Sequence, residues 1–146
     1  MSGPLNYTTV IDPAKTAGEC IARLATHGAT AVGMTYDAGF PTGLQFQIRT
    51  AHGMMAYSLP VNVDGTYKAL QKAWRERRIP QSKATLEQAR RTGWRVIKDW
   101  LEAQLALIEA GVATIDEVML PWMLVDGQTV YAAFLERNQL ALEAGQ

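Results

Sequence analysis

The apolar residues of this chain change period twice, and that change limits the folds open to it. Between Pro13 and His27 they recur at helical spacing, with Ala17, Cys20, Ile21 and Leu24 on one side. Asp12 stands where an N-cap belongs, and Pro13 fills the first helical position, where its missing N–H is harmless. Gly28 follows as a C-terminal cap, so the pattern predicts a helix over about 13–27. The period then falls to two. Leu44, Phe46 and Ile48 alternate with Gln45, Gln47 and Arg49, the signature of a strand with one wet face. Met55, Tyr57, Leu59 and Val61 alternate in the same way, with Pro60 marking a strand end or an edge. Ala31–Tyr36 reads as the strand before them, and the β-branched Tyr7–Ile11 as a short first strand. The turn-rich 37–43 and Ala51-His52-Gly53 join these strands into an antiparallel meander.

From Asp64 the period is helical again. Tyr67, Leu70 and Trp74 form the inward stripe of a helix over about 65–78, capped by Asp64 and stopped at Ile79-Pro80. A longer helix over about 82–110 carries Leu86, Gly93, Ile97, Trp100 or Leu101, Leu105 and Ile108, and Gly111 closes it. Its length would be about 42 Å at 1.5 Å per residue. Gly93 costs about 1 kcal/mol inside a helix, which implies either a close backbone approach or a bend. Thr114-Ile115-Asp116-Glu117 is a capping box opening a short helix that ends before Pro121. Beyond the Asp126-Gly127 turn two readings compete, a hairpin pairing Val125 towards Val130 or a last helix capped by Thr129. The spacing of Val130, Tyr131, Phe134 and Leu135 favours the helix. The expected fold is α+β: a three- or four-stranded antiparallel meander, one helix before it, and a helical C-terminal half with one long helix. At 146 residues and 48% apolar the chain can bury one sizeable core, so residues 1–146 read as a single domain with halves at 1–63 and 64–146.

Charge is as uneven as period. Formal net charge is zero, yet residues 65–100 hold Lys68, Lys72, Arg75, Arg77, Arg78, Lys83, Arg90, Arg91, Arg95 and Lys98 against Glu76, Glu87 and Asp99, a balance of +7. Residues 101–146 hold Arg137 against seven carboxylates, a balance of −6. Such asymmetry points to an anionic partner or to complementary assembly of copies. Lys68, Lys72 and Arg75 fall at i, i+4 and i+7 on one helical face, and Arg91, Arg95 and Lys98 repeat that spacing on the next helix. Arg77, Arg78 and Lys83 fill the joint. Phosphates would relieve the like-charge repulsion within these stripes while releasing condensed counterions. Trp74 and Trp100 lie on apolar stripes, which leaves Trp94 to stack on an exposed base.

Other chemistry has little support. Cys20, His27 and His52 are too scattered for a metal site, and neither GxSxG, GxGxxG nor a phosphate loop occurs. Cys20 reads as a buried thiol, His27 as a cation at a helix C-terminus, and His52 as a turn residue. An enzyme would require Asp37, Asp64 and His52 to meet in one cleft. No cofactor or metal is expected. One cysteine, no signal-like N-terminus and no apolar run near the roughly 20 residues of a membrane span together predict a soluble, cytoplasmic protein.

The segment Trp94-Arg95-Val96-Ile97-Lys98-Asp99-Trp100, with Ala103-Gln104, Glu109-Ala110-Gly111 and Leu120-Pro121-Trp122, resembles small proteins encoded by phages, prophages and plasmids. Weaker likeness at Thr35-Tyr36-Asp37 and Pro41-Thr42-Gly43-Leu44 extends it over most of the chain. The resemblance implies a mobile-element setting and brings no activity or site residue with it. In that setting the charge pattern leads to a non-enzymatic nucleic-acid-binding protein, with single-stranded DNA or RNA the favoured ligand. Its candidate contacts are Lys68, Lys72, Arg75, Arg77, Arg78, Lys83, Arg91, Arg95, Lys98 and Trp94. The alternative is a protein-interaction module, either a self-assembling oligomer or an inhibitor of a host defence enzyme.

Overall fold

The computed structural model describes residues 2–145. Helix α1 (Pro13–Thr26) leads into strands β1 (Ala29–Asp37), β2 (Phe40–Thr50) and β3 (Gly53–Pro60), an antiparallel sheet in the order β1-β2-β3. Helices α2 (Val63–Arg75), α3 (Leu86–Glu109) and α4 (Ile115–Met119) follow. A two-residue hairpin, β4 (Leu124–Val125) with β5 (Gln128–Thr129), then opens into α5 (Val130–Ala144). The α+β class and the meander agree with the periodicity. So does the α1 start, where the Asp12 side chain accepts from Ala14 N at 2.8 Å.

Alternation along β2 puts Leu44, Phe46 and Ile48 on the inner face, where they meet Tyr57 and Leu59 of β3. Ala17, Cys20 and Leu24 of α1 and Trp94, Leu101 and Leu105 of α3 close that face. Gln45, Gln47 and Arg49 remain exposed on the other. A second, smaller core joins Leu70 and Ala73 of α2 to Ile79, Ala84 and Ala89, with Tyr7, Tyr67 and Trp74 against it. Gly93 lies where the two cores meet. A Cβ there would sit 3.1 Å from Val61 Cγ1 and 3.4 Å from Thr66 Oγ1, so close approach of β3's end and α2 accounts for the glycine.

The structure differs from the sequence reading at several elements, each for a local reason; α2, for one, ends at Arg75 rather than at Ile79-Pro80, because the chain reverses at residues 76–78. Residues 7–11 form no strand; the Gln88 amide donates to the carbonyls of Tyr7 and Thr9 at 2.8 Å, binding this segment to α3 instead of to a neighbouring strand. The β1–β2 connection is a two-residue turn at Ala38-Gly39, both with positive φ, so β2 begins at Phe40 rather than Leu44. Asn62, not Asp64, caps α2 by accepting from Gly65 N at 2.8 Å. The long helix starts at Leu86, four residues late, because Thr85 caps it after a single 3₁₀ turn at Gln81–Lys83; its 24 residues span about 36 Å. At the C-terminus the hairpin and the helix both exist, with Thr129 accepting from Ala132 N as the cap of α5.

Candidate nucleic-acid interface

Leu70 and Ala73 turn one face of α2 into the small core, and this fixes Lys68, Lys72 and Arg75 on the opposite, exposed face. The helix ends by a Schellman-type reversal. Arg78 N donates to Ala73 O at 2.8 Å and Arg77 N to Trp74 O at 2.9 Å. Arg77 sits at the left-handed position of that motif, with φ of 59°, and projects its side chain into solvent. Lys83, in the 3₁₀ turn, is half-buried. These five cations form no ion pair among the described residues.

The other candidates have partners within the protein. Arg78 pairs with Glu76 at 2.9 Å and donates to the Ser2 carbonyl at 3.2 Å. Arg91 pairs with Glu87 at 2.7 Å. Arg95 reaches Glu19 of α1 at 3.5 Å. Lys98 lies between Glu19 at 3.3 Å and Glu102 at 3.0 Å, and its side chain is only 13% exposed. Burial alone would raise the Glu19 carboxyl, but the hydrogen bond and charge of Lys98, with Arg95 and Lys15, hold it below the usual range. The Glu102 hydrogen bond outweighs burial at Lys98 and pushes its ammonium upward. Arg95 and Lys98 therefore lie in a seam between α1 and α3, and all three cations of the second basic stripe have carboxylate partners.

Trp94 also changes role. It is fully buried, and its indole N–H donates to the Pro41 carbonyl at 2.9 Å. No base can stack on it. The sequence pattern placed it off the inward stripe, but α3 is covered by α2 on one side and by α1 and the sheet on another, which buries a wider arc. Trp100 packs edge-to-face on Trp122 at 4.9 Å, and Trp74 supports the small core.

Arg90 was not among the sequence candidates. Its guanidinium lies 3.7 Å from the centre of the Phe40 ring. It lines a cavity of about 270 Å³ together with Asp37, Asp64, Asn62 and Thr42. Two of the three residues required for an enzyme reading thus share a cleft. The third does not: His52 lies at the opposite end of the sheet, 3.6 Å from Asp116 of α4. Among the described residues no group of three metal-binding side chains occurs. His27 bridges the Arg23 carbonyl and Glu109, and Cys20 lies in the core, where burial pushes its thiol up to about 11. Among the described residues no helix is long and apolar enough to cross a membrane.

What the surface can do chemically is hold phosphates. Lys68 to Arg75 spans about 10 Å along α2 at 1.5 Å per residue. One nucleic-acid strand carries a charge about every 3.4 Å along its axis, so the row matches about three phosphates. Comparison with family models, curated proteins and solved structures finds no match for the chain.

Proposed function

We propose that the chain is a non-enzymatic nucleic-acid-binding accessory protein that grips the phosphate backbone through α2 and the turn after it. The observation that carries this reading is the exposure of Lys68, Lys72, Arg75 and Arg77, with Lys83 beside them, in a protein that pairs most of its remaining central cations internally. A favourable helix dipole accounts for cations in the last turn, Lys72 and Arg75. It does not account for Lys68 or Lys83, which lie outside that turn. With Trp94 buried the surface offers phosphate contacts without a stacking platform, so recognition is independent of sequence and does not prefer single strands. The setting is that of the small mobile-element proteins whose C-terminal segment this chain resembles.

A salt titration with labelled duplex and single-stranded oligonucleotides tests the reading. Five phosphate contacts give a log–log slope of about −4.5 on duplex, and each of Lys68→Ala, Lys72→Ala and Arg75→Ala makes it shallower by about 0.9. Arg95→Ala and Lys98→Ala leave the slope unchanged. Absence of binding at low salt removes the reading.

A further inference from the structure

Helix α5 is 15 residues long and contains no buried residue. An isolated helix of that length is marginal in water, so α5 needs a partner along its length. Its own chain supplies one only at the base. There Val130 N donates to the Met123 carbonyl at 2.9 Å, and Tyr131 lies beside Pro60 and Trp122. Along the helix large apolar side chains face solvent: Tyr131 is 55% exposed, Phe134 59%, Leu135 47%, Leu140 59% and Leu142 65%.

All of these but Leu140, which lies on the opposite face, share one side of the helix. Tyr131, Leu135, Asn138 and Leu142 follow the 4-3-4 spacing of a two-helix seam, with Phe134 and Ala141 on the same face. The carboxylates Glu136 and Glu143 lie away from that face.

We infer that this seam pairs with the same seam of a second copy, forming a two-fold dimer through α5. Two arguments support a second copy as the partner, and the second discriminates it from a purely apolar one. First, area: at roughly 200 Å² for a large apolar side chain, the four exposed residues of the seam offer about 450 Å² per helix. Two helices then bury at most about 900 Å² before Asn138 and Ala141 are added, which brings the total to the lower bound of roughly 1,000 Å² for a biological interface and fits a weak dimer. Second, chemistry: Asn138 lies in the middle of the seam, and an amide carries both donors and an acceptor. A purely apolar groove would strand that amide, whereas a two-fold copy presents an identical amide that satisfies it and fixes the register. The seam is separate from the α2 cations, so it stands or falls independently of nucleic-acid binding.

Sedimentation of the full chain over roughly 1–100 μM tests the pairing. The wild-type chain is expected to sediment as a dimer, and Leu135→Glu/Leu142→Glu as a monomer whose circular dichroism loses at most the helical signal of the 15-residue α5 while the rest of the fold is kept. A second variant, Asn138→Cys, is expected to form an intermolecular disulfide under mild oxidation, because the native Cys20 is buried and does not compete. A monomeric wild-type chain, a dimer that survives the double substitution, or failure of Asn138→Cys to cross-link each overturns the inference.

Discussion

If α2 and its closing turn grip phosphates as proposed, Arg77 couples stability to binding in a way one substitution can expose. It occupies the left-handed position that closes α2, where an L-residue costs about 1–2 kcal/mol and glycine costs nothing sterically. Arg77→Gly removes that strain but loosens the unfolded chain, at a cost of about 0.5–1 kcal/mol. The net expectation is a gain of about 0.5–1 kcal/mol. With an unfolding entropy of about 2.1 cal/mol/K per residue, the whole chain has about 0.3 kcal/mol/K, so Tm rises by about 2–3 °C. The same change deletes one exposed cation, and the salt slope of duplex binding becomes shallower by about 0.9. Arg77→Ala is the control: it keeps the strained backbone, gains no stability, and loses the same binding increment. Calorimetry and the salt titration read the two effects separately. A fall in Tm for Arg77→Gly would refute the strain argument, and an unchanged slope in both variants would remove Arg77 from the interface.

Other expectations follow from groups inside the fold. Trp94→Phe leaves the Pro41 carbonyl unpaired and opens space in the core, so it destabilises by about 2–4 kcal/mol in denaturant titration while the salt slope stays the same. A changed slope would return Trp94 to the binding surface. The Tyr57 hydroxyl is buried with no hydrogen-bond partner among the described residues; Tyr57→Phe therefore stabilises by about 1 kcal/mol, and a loss of stability would mean that the hydroxyl is satisfied. The Glu19–Lys98–Glu102 cluster sets both limbs of the pH dependence. The depressed Glu19 stabilises the fold above the ordinary carboxyl range of about 4.5, and that stability is lost as pH falls through its folded value. The raised Lys98 stabilises below its ordinary 10.5 and loses its contribution only as pH rises beyond that. This cluster's contribution is thus flat between these limbs, while the buried Cys20 thiol removes stability as pH rises past its ordinary 9, and Glu19→Gln shallows the acid limb in urea titrations run at several pH values. An unchanged acid limb would show that Glu19 does not carry it.

The sequence yields the elements because period is a local property. It is less informative where two local signals compete. Asn62 and Asp64 are both good caps, and only the reach of the Asn62 amide oxygen to Gly65 N selects the first. Tyr7–Ile11 has strand composition, but a strand needs a neighbour with free backbone groups, and Gln88, about 80 positions away, takes its carbonyls. The site was harder to read for the same reason. Glu19 lies 76 residues from Arg95, so no spacing rule could show that the second basic stripe meets an acidic partner on α1. Lys68, Lys72 and Arg75 were legible because the same helix that spaces them also buries its opposite face. The exposed apolar seam of α5 was visible as spacing, but its lack of cover depends on where the hairpin before it aims the helix.

Internal pairing also decides what the acidic C-terminal block does. Glu102 binds Arg23 and Lys98 and Glu109 binds His27, so these acidic residues hold α3 against α1, while Asp116 of α4 lies 3.6 Å from His52. None of them reaches Lys68, Lys72, Arg75, Arg77 or Lys83 among the described residues. The apolar seam of α5 is a route to an oligomer separate from basic-to-acidic assembly, for which Glu117, Asp126, Glu136 and Glu143 form no ion pair among the described residues. The distinction has a measurable consequence. A dimer joined through α5 carries two α2 patches, and once one patch is on a nucleic acid the second binds as an intramolecular partner. The gain exists only on a ligand long enough to reach both. Leu135→Glu/Leu142→Glu should therefore weaken binding to a long duplex by at least ~10-fold while leaving binding to a short duplex nearly unchanged. Equal losses on the two lengths would mean that the dimer and the phosphate grip do not act together.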